Sequence, residues 1–109
     1  MAKTGIDIAA ISRFKRFTGN QSDPFLAKNF SALELAYCFS YANPAQHLAG
    51  TFAAKEAVNK AFGGTYALSE IEIRRTKKGA PTAWRNNRKL TLSISIAHEE
   101  NMAIAVAVG

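Results

Sequence analysis

The fold is decided by a short alanine-rich stretch with charges inside it, Phe52-Ala53-Ala54-Lys55-Glu56-Ala57-Val58-Asn59-Lys60-Ala61. Its composition is that of a helix that a sheet or another helix can approach closely. Glu56 and Lys60 are four residues apart, so they lie on one helix face, with Phe52 one turn earlier. Two interpretations stay open at this point. Glu56 and Lys60 form an ordinary surface ion pair, or Glu56 ligates a metal beside a phosphate-binding Lys60.

Asn43-Pro44 has the cap-plus-proline pattern of a helix start, and Gly63-Gly64 is a stop signal. The sequence therefore predicts one long helix from Pro44 to about Phe62. Asp23-Pro24 predicts a second, shorter helix that runs through Phe30. The Ser31-x-x-Glu34 capping box predicts a third helix that runs to about Ala42.

Alternating patterns predict strands at both ends of the chain. Thr4–Ile8 reads as a short strand, after which Ile8, Ile11, Phe14 and Phe17 form the apolar stripe of a first helix. Further strands are expected at 70–74, 90–98 and 102–108, the last two as a hairpin. Each hairpin strand has a bulky face and a small face. We expect the small faces to pack on the alanine-rich helix, and the bulky faces to be covered by the first helix or a neighbouring subunit.

The length, the apolar runs and the net charge of the chain limit the class of protein to which it can belong. With 109 residues it is expected to be a single α+β domain, residues 1–109. The N-terminus lacks a signal-peptide pattern and no apolar run reaches the ~20 residues that span a bilayer, so a cytoplasmic location is expected. The formal net charge of +6 predicts attraction to an acidic partner. A nucleic-acid-binding module is disfavoured because Phe14, Phe17 and Phe52 fall on apolar faces instead of interleaving with the basic residues.

Two carboxylates have neighbours that predict poor solvation. Asp7 lies between isoleucines and Glu56 between alanines. If they meet in space, their repulsion requires a proton or a cation, and two oxygen ligands with open positions suit Mg²⁺. The residues alone do not show that the two meet. His98, at a strand end, is either a structural hydrogen-bonding residue or part of a site, and Cys38 is expected to be a buried, inert thiol.

Several motifs together resemble one family. They are Gly5-Ile6-Asp7-Ile8 followed by Arg13-Phe14, then the stretch from Leu48 to Phe62, then Gly79-Ala80-Pro81, and last Ser95-Ile96-Ala97-His98-Glu99. In order and spacing they are similar to the motifs of the holo-acyl-carrier-protein synthases, the small bacterial-type 4′-phosphopantetheinyl transferases. The resemblance covers nearly the whole chain. Thr51 departs from it, because the family usually has an arginine there.

The resemblance implies a fold, a reaction and roles for residues. The fold is an antiparallel sheet packed on a long central helix, assembled as a homotrimer with sites at subunit interfaces. The reaction moves 4′-phosphopantetheine from coenzyme A to a serine of an apo acyl carrier protein. Asp7 and Glu56 would hold Mg²⁺ and, with Lys60, act in catalysis, while Lys60, Lys55 and His98 would contact coenzyme A. Arg13 and Arg16 would dock the acidic carrier protein. The alternative is a non-catalytic relative that binds coenzyme A or a carrier protein without transfer.

Overall fold

The computed structural model describes residues 3–109, which form two three-stranded antiparallel sheets and a long helix that packs on them. The predicted α+β class is confirmed. The strands are β1 (Thr4–Ala10), β2 (Ile71–Arg75), β3 (Pro81–Arg85), β4 (Arg88–Lys89), β5 (Ser93–Glu99) and β6 (Met102–Val108). The α-helices are α1 (Pro24–Asn29), α2 (Ala32–Phe39) and α3 (Pro44–Ala61), and Ile11–Phe17 and Leu68–Glu70 form 3-10 helices.

The sheet with strand order β1-β6-β5 packs against α3. Its strand β6 turns Ala103, Ala105 and Ala107 toward the helix, and all three are buried. In the β1–β6 register Asp7 lies opposite Ala105, so Asp7 belongs to the same face of the sheet. The prediction that the small face of β6 packs on the alanine-rich helix is confirmed, and the same packing directs Asp7 toward α3.

Strand β5 has the opposite orientation from the one predicted. Ile94 and Ile96 lie opposite Ala107 and Ala105, which places the bulky face of β5, and not its small face, toward α3. The helix accommodates Ile96 at Gly50, where an added Cβ would come within 3.1 Å of the Ile96 Cγ2 atom. The missing side chain of Gly50 is therefore the physical reason why a large residue fits on this face.

The segment after β1 is a 3-10 helix, and this changes the predicted apolar stripe. Ile11, Phe14 and Phe17 recur every third residue, which matches the three residues per turn of a 3-10 helix, and all three are buried. Ile8 does not belong to this stripe, because it lies within β1 and is 55% exposed. The phenylalanines of this helix pack with Phe25 and Phe52 in an aromatic cluster.

The second sheet has the strand order β2-β3-β4, and only β2 was predicted from the sequence. The polar composition of the segment after Pro81 hides β3 and β4 from a periodicity argument. They are joined at Asn86 and Asn87, whose φ angles of 53° and 60° are those of a tight hairpin turn. Two successive asparagines are a turn signal that could have revealed this hairpin.

The outer face of the first sheet, on the side away from α3, is apolar and open. The large apolar side chains on this face are 39–56% exposed, so the 3-10 helix Ile11–Phe17 does not cover them. These side chains are Ile6, Ile8, Met102, Ile104 and Val108. The prediction that the first helix covers this face is therefore wrong. Coverage by a neighbouring subunit stays a prediction.

Strand β1 and helix α3 touch backbone to backbone at Gly5. A Cβ atom at Gly5 would overlap the carbonyl oxygen of Ala57 and would lie 2.8 Å from the amide nitrogen of Ala61. Neither of these backbone atoms can move without displacing the helix. Gly5 is therefore required for the spacing between β1 and α3.

We predict that Gly5→Ala lowers the free energy of unfolding by about 3 kcal/mol or more, because the overlap involves rigid backbone. Gly50→Ala is the matched control. Its added methyl group would lie 3.1 Å from the Ile96 Cγ2 methyl, which is a side-chain contact and not an overlap with rigid backbone, so we expect a loss below about 1.5 kcal/mol. Urea unfolding of both variants measures the difference, and equal losses would contradict the role given to Gly5.

Candidate functional site

Asp7 and Lys60 are in direct contact at the edge of the first sheet. The Lys60 Nζ atom donates hydrogen bonds to Asp7 Oδ1 at 2.9 Å and to the backbone oxygen of Ile6 at 3.0 Å. Strand β1 supplies the carboxylate, and the last turn of α3 supplies the lysine. In the described part of the chain the ion pair of Lys60 is thus with Asp7 and not, as the simpler sequence interpretation had it, with Glu56.

Glu56 lies one turn before Lys60 on α3 and shares its electrostatic environment. Partial burial and then the negative charge of Asp7 raise the pKa of Glu56 above its usual value of 4.5, while Lys60 and Arg13 oppose that shift. Asp7 is therefore close enough to act on the ionisation of Glu56. The structure brings together three of the residues that the sequence singled out, Asp7, Glu56 and Lys60.

The chemistry of this donor set fits a hard divalent cation. Asp7 and Glu56 offer carboxylate oxygens, which Mg²⁺ prefers, and their mutual repulsion is the kind that a cation relieves. Within residues 3–109 no group of three or more His, Cys, Asp or Glu side chains is arranged to hold a metal. Two protein ligands leave positions for water and for a substrate's phosphate oxygens, as Mg²⁺ sites often do.

Lys55 has a different partner from the one expected. Its side chain is fully buried, and its Nζ atom lies 2.6 Å from Glu34 Oε1. Glu34 also accepts hydrogen bonds from the backbone nitrogens of Ser31 and Ile73. Burial lowers the pKa of Lys55, and the nearby Glu34 opposes this. Lys55 therefore joins α2, α3 and β2 inside the core, and a ligand outside the protein cannot reach its ammonium group in this structure.

His98 is exposed near the end of β5, where its Nε2 atom lies 2.9 Å from Gln46 Nε2. Gln46 is in the first turn of α3, whereas Glu56 is ten residues further along that helix, about 15 Å at 1.5 Å per residue. The structure thus separates His98 from the Asp7–Glu56–Lys60 group within one chain. No sequence pattern indicates a role for Gln46, whose partner is 52 residues away.

Arg13 and Arg16 are exposed on the 3-10 helix Ile11–Phe17, as expected for residues that contact a partner. The Arg13 guanidinium lies 5.4 Å from the ring centroid of Phe52, and that of Arg16 lies 4.2 Å from that of Phe17. These contacts hold both charges at the aromatic cluster. The two arginines, together with Ser12, Phe14, Phe17 and Phe25, line a surface cleft of about 320 Å³.

Cys38 is fully buried beside Thr51, with 3.5 Å between its Sγ atom and Thr51 Oγ1. Burial raises the pKa of Cys38 to about 11, so the thiol is protonated at neutral pH. The prediction of an inert thiol is confirmed. No helix in residues 3–109 is both long and apolar enough to cross a membrane.

Comparison with known proteins identifies the family. A family model described as the 4′-phosphopantetheinyl transferase superfamily matches residues 3–107. The chain belongs to the 4′-phosphopantetheinyl transferase superfamily. A relative from Thermodesulfovibrio yellowstonii, named holo-[acyl-carrier-protein] synthase, is 41% identical over 106 residues, which are 95% of this chain and 94% of the relative. The resemblance stated from the sequence motifs is confirmed.

Solved structures give the same family. The holo-[acyl-carrier-protein] synthase of Helicobacter pylori, in complex with coenzyme A, has a TM-score of 0.80 and 32% identity, covering 95% of this chain and 96% of that one. The synthase of Neisseria meningitidis has a TM-score of 0.79 and 26% identity, covering 97% and 95%. This phosphopantetheinyl transferase chain therefore shares both sequence and fold with these enzymes along nearly its whole length.

The buried Lys55–Glu34 pair leads to a stability prediction. We expect Lys55→Met to lower the free energy of unfolding by about 3–5 kcal/mol, because Glu34 would keep a buried charge without its counter-ion. Adding Glu34→Gln should restore much of the loss, since the neutral amide can still accept the Ile73 hydrogen bond. Lys60→Met on the same helix is the control and should cost about 1 kcal/mol or less. Similar losses for the two lysine variants would contradict this account.

Proposed function

We propose that this protein is a Mg²⁺-dependent holo-[acyl-carrier-protein] synthase, which transfers 4′-phosphopantetheine from coenzyme A to a serine of an apo acyl carrier protein. Adenosine 3′,5′-bisphosphate is the other product. The observation that carries the proposal is the meeting of Asp7, Glu56 and Lys60 at the contact of β1 with α3. The names of relatives that match nearly the whole chain support the same reaction.

Asp7 and Glu56 are the residues that would hold the magnesium ion. When bound, the ion supplies Lewis-acid stabilisation of the negative charge on the pyrophosphate. The chain adds the ammonium group of Lys60, which neutralises phosphate oxygens at the same place. Transfer of a phosphoryl-type group depends mainly on positioning and charge neutralisation, and these residues provide both.

The bond changes require a proton acceptor. The serine Oγ forms a bond to the phosphorus that carries pantetheine, and the bond from that phosphorus to the bridging oxygen breaks. The serine proton must leave as this happens. Glu56 is suited to accept it through a water molecule, because its carboxylate lies beside Asp7 and Lys60 at the place where the phosphates would bind.

The carrier protein docks, in this proposal, on the surface around Arg13 and Arg16. Carrier proteins of this class are acidic, and the chain has a net charge of +6 that favours their approach. Arg13 stands over Phe52, one turn before Glu56 on α3, and its charge acts on that carboxylate. A carrier protein bound at this surface therefore has its serine close to the proton acceptor.

The proposal includes a homotrimer in which neighbouring copies complete each site. Two observations support it. The outer face of the first sheet is apolar and open, which favours burial against another copy. His98 lies near the first turn of α3, away from Glu56, so a coenzyme A molecule that uses both residues can take one from each of two neighbouring copies. Contact of His98 with coenzyme A is part of the same proposal.

The transfer reaction is tested by mass spectrometry of a panel of apo carrier proteins incubated with this protein, coenzyme A and Mg²⁺. We expect addition of the phosphopantetheine arm to at least one carrier, and its loss on chelation of the metal or in Glu56→Gln. Glu100→Gln, in the exposed β5–β6 turn, is the control and should keep activity. Binding of coenzyme A without transfer to any carrier would instead indicate a non-catalytic relative.

The same variant has a pH-dependent stability that checks its folding. Because the folded state raises the pKa of Glu56, ionised Glu56 lowers stability above that pKa, and the loss disappears as the pH falls below its usual value of 4.5. Glu56→Gln should therefore unfold at a higher temperature than the native chain at neutral pH, with a difference that shrinks toward pH 4. If Glu56→Gln were unfolded, its loss of activity would say nothing about the mechanism. The thermal unfolding of the variant shows that it is folded.

The trimer is tested by sedimentation velocity. We expect the native protein to sediment as a trimer and Ile104→Lys to sediment as a monomer, because the lysine places a charge within the apolar outer face. Thr65→Lys, in an exposed loop, is the control for the added charge and should remain trimeric. A native protein that sediments as a monomer at assay concentration would contradict the assembly.

A further inference from the structure

We propose that Lys60 is the resident counter-ion of Asp7 and leaves that carboxylate when a divalent cation binds, so that entry of the metal and release of the lysine form a single exchange. The inference rests on the proposed function, because it concerns the metal site assigned there. It goes beyond that assignment by giving Lys60 two positions, one on Asp7 and one free to meet phosphate.

The contacts of Lys60 define the first position. Its ammonium group bonds both to the Asp7 carboxylate and to the Ile6 carbonyl, which are neighbours on β1. Strand β1 is at the edge of its sheet, with β6 on its other side. The lysine thus occupies the open side of the strand, where it satisfies the carboxylate oxygen that a cation would need.

Unequal freedom of the two side chains decides which one moves. The Asp7 side chain is 18% exposed and short, and it stands in the middle of a strand that is paired along its whole length. The Lys60 side chain is 52% exposed, long and flexible, at the end of α3. A partly exposed ion pair of this kind is weak, so a competing cation displaces the lysine at little cost.

The charges explain why the exchange is useful. Asp7 and Glu56 carry two negative charges, and Lys60 and Arg13 carry two positive ones, so the metal-free site is close to neutral. A divalent cation that takes over the carboxylates leaves the ammonium group of Lys60 without its charged partner, and of its two contacts on β1 only the Ile6 carbonyl remains. Phosphate oxygens then provide its new partner. Binding of metal and binding of phosphate become coupled through one lysine.

The first test measures Mn²⁺ binding by electron paramagnetic resonance, with no substrate present. Because the lysine competes with the metal, Lys60→Met should bind Mn²⁺ about 5-fold more tightly than the native chain. Lys60→Arg keeps a charge that can pair with Asp7, so its affinity should not exceed that of the native chain. Lys89→Met, an exposed lysine of β4, is the control for lost charge and should leave the affinity unchanged.

The second test observes the displacement itself. Brief acetylation followed by peptide mass spectrometry should modify Lys60 faster with saturating Mg²⁺ than without metal, while the rate at Lys89 stays constant. An unchanged rate at Lys60, or equal Mn²⁺ affinity in Lys60→Met and the native chain, overturns the exchange alone. Failure of Mn²⁺ to bind any of these variants overturns the metal site of the proposed function as well, so the two failures are distinguishable.

Discussion

The closest backbone contact described above, between Gly5 of β1 and Ala57 of α3, determines the geometry of the whole site. Only a residue without a side chain allows the strand to lie directly on the helix. Asp7, two residues after Gly5, then points to the same side of the sheet and reaches the last turns of α3, where Lys60 stands. The alanines of β6 continue this close approach across the sheet. The contact that leaves no room for a methyl group at Gly5 also sets the distance between the Asp7 carboxylate and its partners on α3. The same contact therefore determines both the packing and the geometry of the site.

The sequence predicted the elements whose signals are local. The Ser31–Glu34 capping box forms as expected, and Asp23 caps α1 through the backbone nitrogen of Phe25. The face of β5 was not predictable, because alternation of large and small residues defines two faces without saying which one meets the helix. That choice depends on Gly50, a residue on another element. The hairpin of β3 and β4 was missed because its strands are short and six of the eight residues from Thr82 to Lys89 are polar.

Lys55 and Lys60 illustrate the limit of local reasoning within the site. Both belong to the same helical motif, but five residues rotate the side chain by about 140° around the axis at 3.6 residues per turn. Lys60 consequently meets β1, and Lys55 turns into the core toward Glu34, which is 21 residues away in the sequence. Helical spacing could show that the two lysines differ in direction. It could not show which direction is buried, because that depends on where α2 and β2 pack. Family resemblance brought Asp7 and Glu56 together before any geometry was known.

Glu34 accepts hydrogen bonds from three parts of the chain, namely the start of α2, the side chain of Lys55 on α3 and the backbone of β2. A partly unfolded form in which β2 separates from the helices would lose one of these donors and bring water to the charged pair. Such a form is costly, because the remaining groups are still surrounded by apolar side chains. The small second sheet is thereby tied to the same cooperative transition as the first. Partially open forms, which expose chains to proteases and to aggregation, are therefore opposed by this buried carboxylate together with the buried Ile71 and Ile73 of β2.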